Sequence, residues 1–506
     1  MLDSLARRLD ALFMALPDST RWFDHRFSKT WVVVVAILAV TVITRASVFG
    51  DPNYHIDEAY YFLVGQRMQA GDLLYVDIWD RKPPGLYLIY RALAEISHDF
   101  WIVHLAAGAS AAATAFLIYR MSRLIAPRQG ALFAALCYLI LLPKFGGAGG
   151  QSPVLYNLPM ALAAWLILDH PGPTRSRRRE LLAMFSAGCA MTIKQTALFE
   201  GAFMGLWLLW CHRSAGLSQS ERWIRALQLA ISGALPTIAY FAWYAANGHF
   251  DILWQSVVGS NLARDYNPEG NQALRLMLFT AAVSLPLGAA LLAAVLNMQR
   301  LRTDPKFCFF AMWLAVALTS FLAIPNKFDF YLIPIFLPMT ILGAAFYARR
   351  DFGVLIFAII SISFLNSGKC FGYEDRRNSR EEITALASSI QLSNQPSSLF
   401  VYGGPVFLYS MTSSKPLIEL AFPPHLYESA DRDASPFNTK SQVLKALSAM
   451  PYSVIMENRQ SNSLYNADLD KIVSGYVKNC RIQQNFNLRN IYVPYTVTHY
   501  SNCGSN

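Results

Sequence analysis

The 506-residue chain has little charge, 15% of its residues, and lacks the motifs that charge and glycine usually build. The glycine run GGAGGQ at 146–151 is not followed by Lys-Ser or Lys-Thr, and no G-x-G-x-x-G stands between a strand and a helix. Lys194-Gln195-Thr196 has no glycines before it, so nothing in the sequence cradles a nucleotide phosphate. The CxxC and Cys/His spacings of a zinc site are absent. Four of the seven cysteines, Cys137, Cys189, Cys211 and Cys308, fall in or beside apolar runs, where a thiol behaves as a small hydrophobe. There is no internal repeat and no low-complexity tract. No A-x-A site follows the first apolar run, and some thirty polar and basic residues precede it, so it reads as a permanent start-transfer helix. The net charge of +10 comes without a basic-aromatic module, which leaves nucleic acid out as a partner.

What is present is hydrophobic, 54% of the chain. Hydropathy predicts a polytopic α-helical membrane protein with about eleven spans. They lie near 31–49, 101–119, 130–143, 153–170, 181–197, 199–211, 226–246, 273–297, 307–324, 331–348 and 353–366. Basic residues concentrate at 7–29, 120–128, 175–179, 213–225, 300–306 and 349–350, the loops on one side of these spans. Lys and Arg resist translocation, so that side is expected to be cytoplasmic. The expected organisation is a cytoplasmic N-terminus over 1–30, a transmembrane region over 31–366 and an external domain over 367–506.

That last region is richer in Ser, Asn, Asp and Glu. Helical stretches REEITALASSIQL, TKSQVLKALSAM and YNADLDKIVSGYV alternate there with strand-like SLFVYGG, YSVIMEN and RNIYVPYTV, which suggests a small α/β layer. Cys480 and Cys503 flank an expected strand pair, and both a disulfide and free thiols stay open.

The first external loop, 50–100, is the longest between spans and holds the densest charge, in HIDEAYYFLVGQRMQAGDLLYVDIWDRKPPGLYLIY. A helix over 56–70 should end at Gly71, and a second should start at Pro83-Pro84 with Asp77 or Asp80 as its cap. Both are expected to lie in the membrane interface. Asp57 and Glu58 follow the first span closely, where a carboxylate is costly unless it is used or paired. Asp57 can cap its helix or act as a general base toward an attacking hydroxyl. Arg81, Lys82, Lys144, Lys194, Arg264 and Lys327 run against the charge bias, and each can snorkel, cap a helix or bind an external phosphate. Lys82 suits a phosphate best, because it stands just before a rigid Pro-Pro helix start. A carboxylate base with a cationic clamp suits transfer from a sugar on a polyprenyl phosphate, whose phosphate leaves readily.

HIDEAYYF, YVDIWDRKPPGLYLIY, MTIKQTAL, NKFDFYLIPIFLPM and FVYGGPVFLYSMT together resemble the bacterial GT-C glycosyltransferases. That group includes protein O-mannosyltransferases, the lipid A aminoarabinose transferase and rhizobial core galacturonosyltransferases. The resemblance implies a GT-C fold and inverting transfer of one sugar, a hexose or uronic acid, from a polyprenyl-phosphate-linked donor. The implied acceptor is lipopolysaccharide core, lipid A or a related envelope glycan, at the periplasmic face of a bacterial inner membrane; the alternatives are a protein acceptor or, outside enzymes, a lipid-linked glycan flippase. It implies Asp57 as base beside Glu58, and Lys82, Arg81, Lys194, Lys327 and Tyr331 at the donor phosphate. Asp77, Asp80 and Arg264 are expected in support. No cofactor is implied, and a divalent metal stays open. Relatives often have a second acid in the second external loop, where this chain has only Gln151 and Asn157.

Overall fold

The computed structural model describes residues 29–169, 176–263, 271–392, 398–428, 435–458 and 466–503. The expected cytoplasmic N-terminus and Arg264 lie outside the described residues. The chain divides into two compact units. One comprises Met1–Ser47, Ala106–Ala239 and Gln272–Phe371; the other comprises Val48–Leu105, Tyr240–Asn271 and Gly372–Asn506.

A helix stands at every expected span, because each run is apolar and bounded by Pro, Gly or charge. Among the described residues five helices are long and apolar enough to cross a membrane: Trp101–Ser122, Arg128–Phe145, Gln219–Ala246, Pro305–Ala323 and Asp329–Tyr347. The run expected at 273–297 is instead two helices, Gln272–Ala282 and Ser284–Leu296, bent by 66°. Thr30–Ile43, Ser152–Leu168 and Asp351–Ser367 are shorter and apolar. In the first unit the helices meet through small residues, as helices in lipid do. A Cβ on Gly130 would lie 2.1 Å from the Ala344 carbonyl oxygen, and one on Gly188 would lie 2.1 Å from that of Gly233.

The second unit holds the first-loop helices Ile56–Gln69 and Pro84–Ile96 and the C-terminal region. The first helix closes as expected, with Gly71 at φ +104 just past its C-cap Ala70. It does not lie on an interface, however, since all residues from Glu58 to Gln66 are buried. Tyr60, Tyr61 and Phe62 explain this, because three successive aromatics place large apolar area around the helix, and one lipid-facing stripe cannot cover it. The two helices cross at Gly65, where a Cβ would lie 2.5 Å from the Tyr90 carbonyl carbon.

The C-terminal sheet has four strands in the order β1-β2-β4-β3: β1 Leu399–Val401, β2 Ser453–Glu457, β3 Ile482–Arg489 and β4 Pro494–Ser501. β1 and β2 are parallel, with Val401 opposite Ile455, while β4 runs antiparallel to both β2 and β3. Helices Tyr373–Gln391, Thr439–Ser448 and Ala467–Val477 stand where the sequence placed them. Cys480 and Cys503 form a disulfide at the open end of the β3–β4 pair.

The sheet region grips the start of the first loop. Arg376 pairs with Asp51 at 3.4 Å, Asn53 donates to the Arg489 carbonyl at 3.2 Å, and the Tyr495 hydroxyl donates to Asn53 at 2.6 Å. The Ile491 N–H donates to the Tyr54 carbonyl at 3.0 Å, and His55 Nε2 meets the Tyr492 hydroxyl at 3.0 Å.

Two stability outcomes follow. Gly65→Ala should lower the thermal unfolding midpoint of the detergent-solubilised protein, at a cost of about 1–3 kcal/mol, because a backbone must move. Gly475→Ala, whose Cβ meets nothing within 4 Å, should leave it unchanged or slightly higher. Opening the disulfide by Cys480→Ser with Cys503→Ser should cost about 3 kcal/mol, given the 23-residue separation, as read from loss of protection of the β3–β4 amides in hydrogen exchange.

Candidate active site

The first-loop turn converges on Asp80, which is fully buried. Its Oδ1 accepts the Arg81 N–H at 2.6 Å and lies 3.9 Å from His425 Nε2. Its Oδ2 takes the Tyr87 hydroxyl, and Lys82 Nζ at 3.4 Å. Tyr87 reaches back because it lies one turn into the helix that Pro83 and Pro84 start. Burial alone would raise the Asp80 pKa, but the charges of Lys82, His425 and Arg81 and the Tyr87 hydroxyl bring it down to about 2.

Three further contacts fix the backbone around this carboxylate. The Tyr60 hydroxyl donates to the Trp79 carbonyl at 2.5 Å, the Tyr75 hydroxyl to the Lys82 carbonyl at 2.6 Å, and the Trp79 indole N–H to Ser256 Oγ at 2.9 Å. Ser256 belongs to a single π-helical stretch, Gln255–Gly259. Tyr75 itself adopts φ +71, a strained value for a bulky residue. So held, Lys82 stays 18% exposed, with Nζ 4.8 Å from the Tyr61 ring centroid.

Tyr61 follows Asp57 by four residues on helix Ile56–Gln69, so these two side chains share a face. Asp57 is half-buried in the first turn. It does not cap its own helix, because His55 is the N-cap and its Nδ1 accepts the Asp57 N–H at 3.2 Å. The Tyr90 hydroxyl, raised well above its ordinary pKa by burial, also feels the Glu58 and Asp57 charges. Tyr90 in turn packs edge-on against Tyr61 at 5.5 Å. Asp57, Tyr61, Tyr90 and Lys82 therefore occupy one side of the helix pair.

Other expected residues are engaged differently. Neither Asp77 nor Asp80 caps helix Pro84–Ile96, whose N-cap is Pro83 with no side-chain bond. A proline at N1 has no N–H to satisfy, which removes part of the need. Asp77 is exposed and takes the Leu73 N–H at 2.7 Å, closing a turn. Glu58 is sealed in the interior against His104 Nε2 at 3.2 Å, with both side chains fully buried. The Gly50 N–H donates to His104 Nδ1 at 2.9 Å, which places the ring proton on Nε2, facing Glu58.

In the other unit, Lys194 follows the end of helix Arg177–Ile193 and sets its ammonium 4.1 Å from the Tyr331 ring centroid and 5.1 Å from that of Phe330. Lys194 and Tyr331 line a narrow cleft with Tyr156, Thr196, Glu200 and Phe321. Lys327 is instead a helix cap. Its Nζ donates to the Phe321 carbonyl at 3.0 Å, to that of Leu322 at 3.1 Å and to that of Ile324, at the end of helix Pro305–Ala323. A lysine that follows a helix end by a few residues reaches the last carbonyls, which have no partner in the helix. Asn157 binds the Tyr138 hydroxyl and the Ile333 carbonyl, both at 3.2 Å.

The sequence reading passed over His104, His425 and Glu200. Glu200 is 3% exposed and accepts the Trp313 indole N–H at 2.5 Å. A carboxylate inside an apolar helix was a signal for it. The two histidines carried none, since their partners are distant in the chain. Among the described residues no three His, Cys, Asp or Glu side chains gather as a metal site.

Residues 81–240 match the family model for dolichyl-phosphate-mannose-protein mannosyltransferase. No curated protein matches the sequence. Among solved structures, apo ArnT from Cupriavidus metallidurans is similar at TM-score 0.61 and 14% identity, over 92% of this chain and 97% of that one. ArnT from the same organism bound to undecaprenyl phosphate is similar at TM-score 0.59 and 15% identity, over 93% and 98%. The oligosaccharyltransferase of Archaeoglobus fulgidus in its apo form is similar at TM-score 0.52 and 12% identity, over 85% and 70%.

The Asp80 cluster yields a pH outcome. A carboxyl held below its ordinary 3.8 contributes stability above that value and loses it as pH falls through about 2. Thermal midpoints of the solubilised protein should therefore drop between pH 4 and pH 2, by on the order of 2 kcal/mol. Asp80→Asn should be less stable at neutral pH and flatter across that window; equal slopes for the two proteins would remove Asp80 as the cause.

Proposed function

We propose that the chain, whose residues 81–240 match the mannosyltransferase family model and whose fold is similar to that of ArnT, is a membrane glycosyltransferase that uses a polyprenyl-phosphate-linked donor. It moves one sugar, a hexose or uronic acid, to lipopolysaccharide core, lipid A or a related envelope glycan on the periplasmic face of a bacterial inner membrane. What supports this reading is that the Lys82 ammonium lies 4.8 Å from the ring of Tyr61, a residue one helical turn after Asp57. The likeness to a structure bound to undecaprenyl phosphate supports the donor class.

Asp57 takes the proton of the acceptor hydroxyl as its oxygen bonds to the sugar's anomeric carbon. The bond from that carbon to the phosphate oxygen breaks, and the polyprenyl phosphate leaves with its charge against Lys82 and Arg81. A phosphate leaves without added protonation, so one base and one clamp complete the step. Displacement from the opposite face inverts the anomeric centre. Asp80 acts through Lys82, by fixing where the ammonium sits. Lys194, packed on Tyr331, is a further candidate for an anionic group. Lys327 is not carried forward, because helix carbonyls occupy its ammonium.

Asp57→Asn should lower sugar transfer in membrane vesicles by about 10²–10⁴-fold. Lys82→Ala should lower it by about 10²–10³-fold, both variants inserting normally. Wild-type rates in both would overturn the site. Label from the donor should enter the lipopolysaccharide fraction; label in the protein fraction alone would reassign the acceptor and leave the donor chemistry standing.

A further inference from the structure

We propose that the first unit carries a second lipid site, a groove between helices Arg177–Ile193 and Gln219–Ala246 that holds one anionic glycerophospholipid. The groove is open along its length, offers about 500 Å³ of space and is lined by Arg177, Arg178, Leu181, Leu182, Phe185 and Ser232. It is pinned where Ser232 Oγ donates to the Leu181 carbonyl at 2.7 Å and where Gly188 meets the Gly233 backbone. Its wall is apolar and its rim is cationic, the profile of an acyl chain below a phosphate.

Three observations converge on that occupant. Arg222 and Arg225 lie on the same face of helix Gln219–Ala246 as Ser232, at helical spacing. Arg222 Nε and Arg225 Nη1 are closed off from solvent with no hydrogen-bond partner. Two neighbouring acids are occupied, Glu180 by His212 at 3.0 Å and Asp169 by Arg179 at 3.3 Å, while exposed Glu221, which takes the Ser218 N–H at 2.9 Å, also feels the Arg225 charge. Trp223, 70% exposed, and Trp210, 51% exposed, sit near the ends of apolar helices on this side, where indoles mark the headgroup level. Two arginines that line an apolar groove, with two more at helical spacing below Ser232 on one of its helices, fit an anionic lipid, and the basic-loop bias assigns this face to the cytoplasmic leaflet. The site is independent of the sugar-transfer reading.

Native mass spectrometry of the full chain in detergent, titrated with phosphatidylglycerol or phosphatidylethanolamine, tests it. Phosphatidylglycerol should bind in preference. Arg177→Gln with Arg178→Gln, and separately Arg222→Gln with Arg225→Gln, should weaken it by about five-fold per charge removed. Ser232→Leu, which fills the groove and keeps every arginine, should also weaken it. Wild-type binding in the arginine variants overturns the headgroup assignment, and wild-type binding in Ser232→Leu overturns the groove. Displacement of the lipid by millimolar inorganic phosphate would show an anion site without a lipid, and also overturns the proposal.

Discussion

The Asp80 carboxylate is the constraint on which the first loop depends. A buried carboxylate is costly unless its charge is met, and here Lys82, the Arg81 N–H, the Tyr87 hydroxyl and His425 all meet it. Those partners come from the turn itself, from the helix after it and from the segment around 425. One buried charge thus fixes the relative positions of three stretches of chain. The Tyr60 and Tyr75 hydroxyls bond the Trp79 and Lys82 carbonyls and the Trp79 indole bonds Ser256 Oγ, so the ammonium of Lys82 is placed by a frame with few alternatives.

Asp57 is placed by a different device. The residues just before its helix, Asp51 to His55, are bonded to Arg376, Arg489, Ile491, Tyr492 and Tyr495. His55, not Asp57, is the N-cap of that helix. The C-terminal sheet thus acts as a clamp on the base of the loop as well as a separate layer. Its β3–β4 end, closed by the Cys480–Cys503 disulfide, belongs to the same hairpin that makes most of those bonds.

The carboxylates and cations singled out in the sequence divide by what their neighbours leave them. Glu58 is closed inside with His104, Asp77 finishes a turn, and Lys327 caps a helix. Lys82 and Lys194 each keep an aromatic ring beside the ammonium, Lys82 in addition to its pair with Asp80. Residue type and position along the chain could not separate these cases. Local packing did.

Much of the architecture was legible in the sequence because it rests on local rules. Apolar length placed the helices, Gly71 and Pro83-Pro84 set the bounds of the first-loop helices, and alternating short runs marked the strands of the tail. The bend near Val283 was not legible, since the apolar run continues through it. The burial of Glu58–Gln66 was not legible either, because an aromatic-rich helix reads the same in a lipid interface as in a protein core. The sequence by itself determined which residues carry charge in an apolar chain, and on which loop. Only tertiary structure decided which of those charges is ion-paired, closes a turn or caps a helix, because the partners that settle the buried pairs, His104, His425 and Arg376, lie tens to hundreds of residues away.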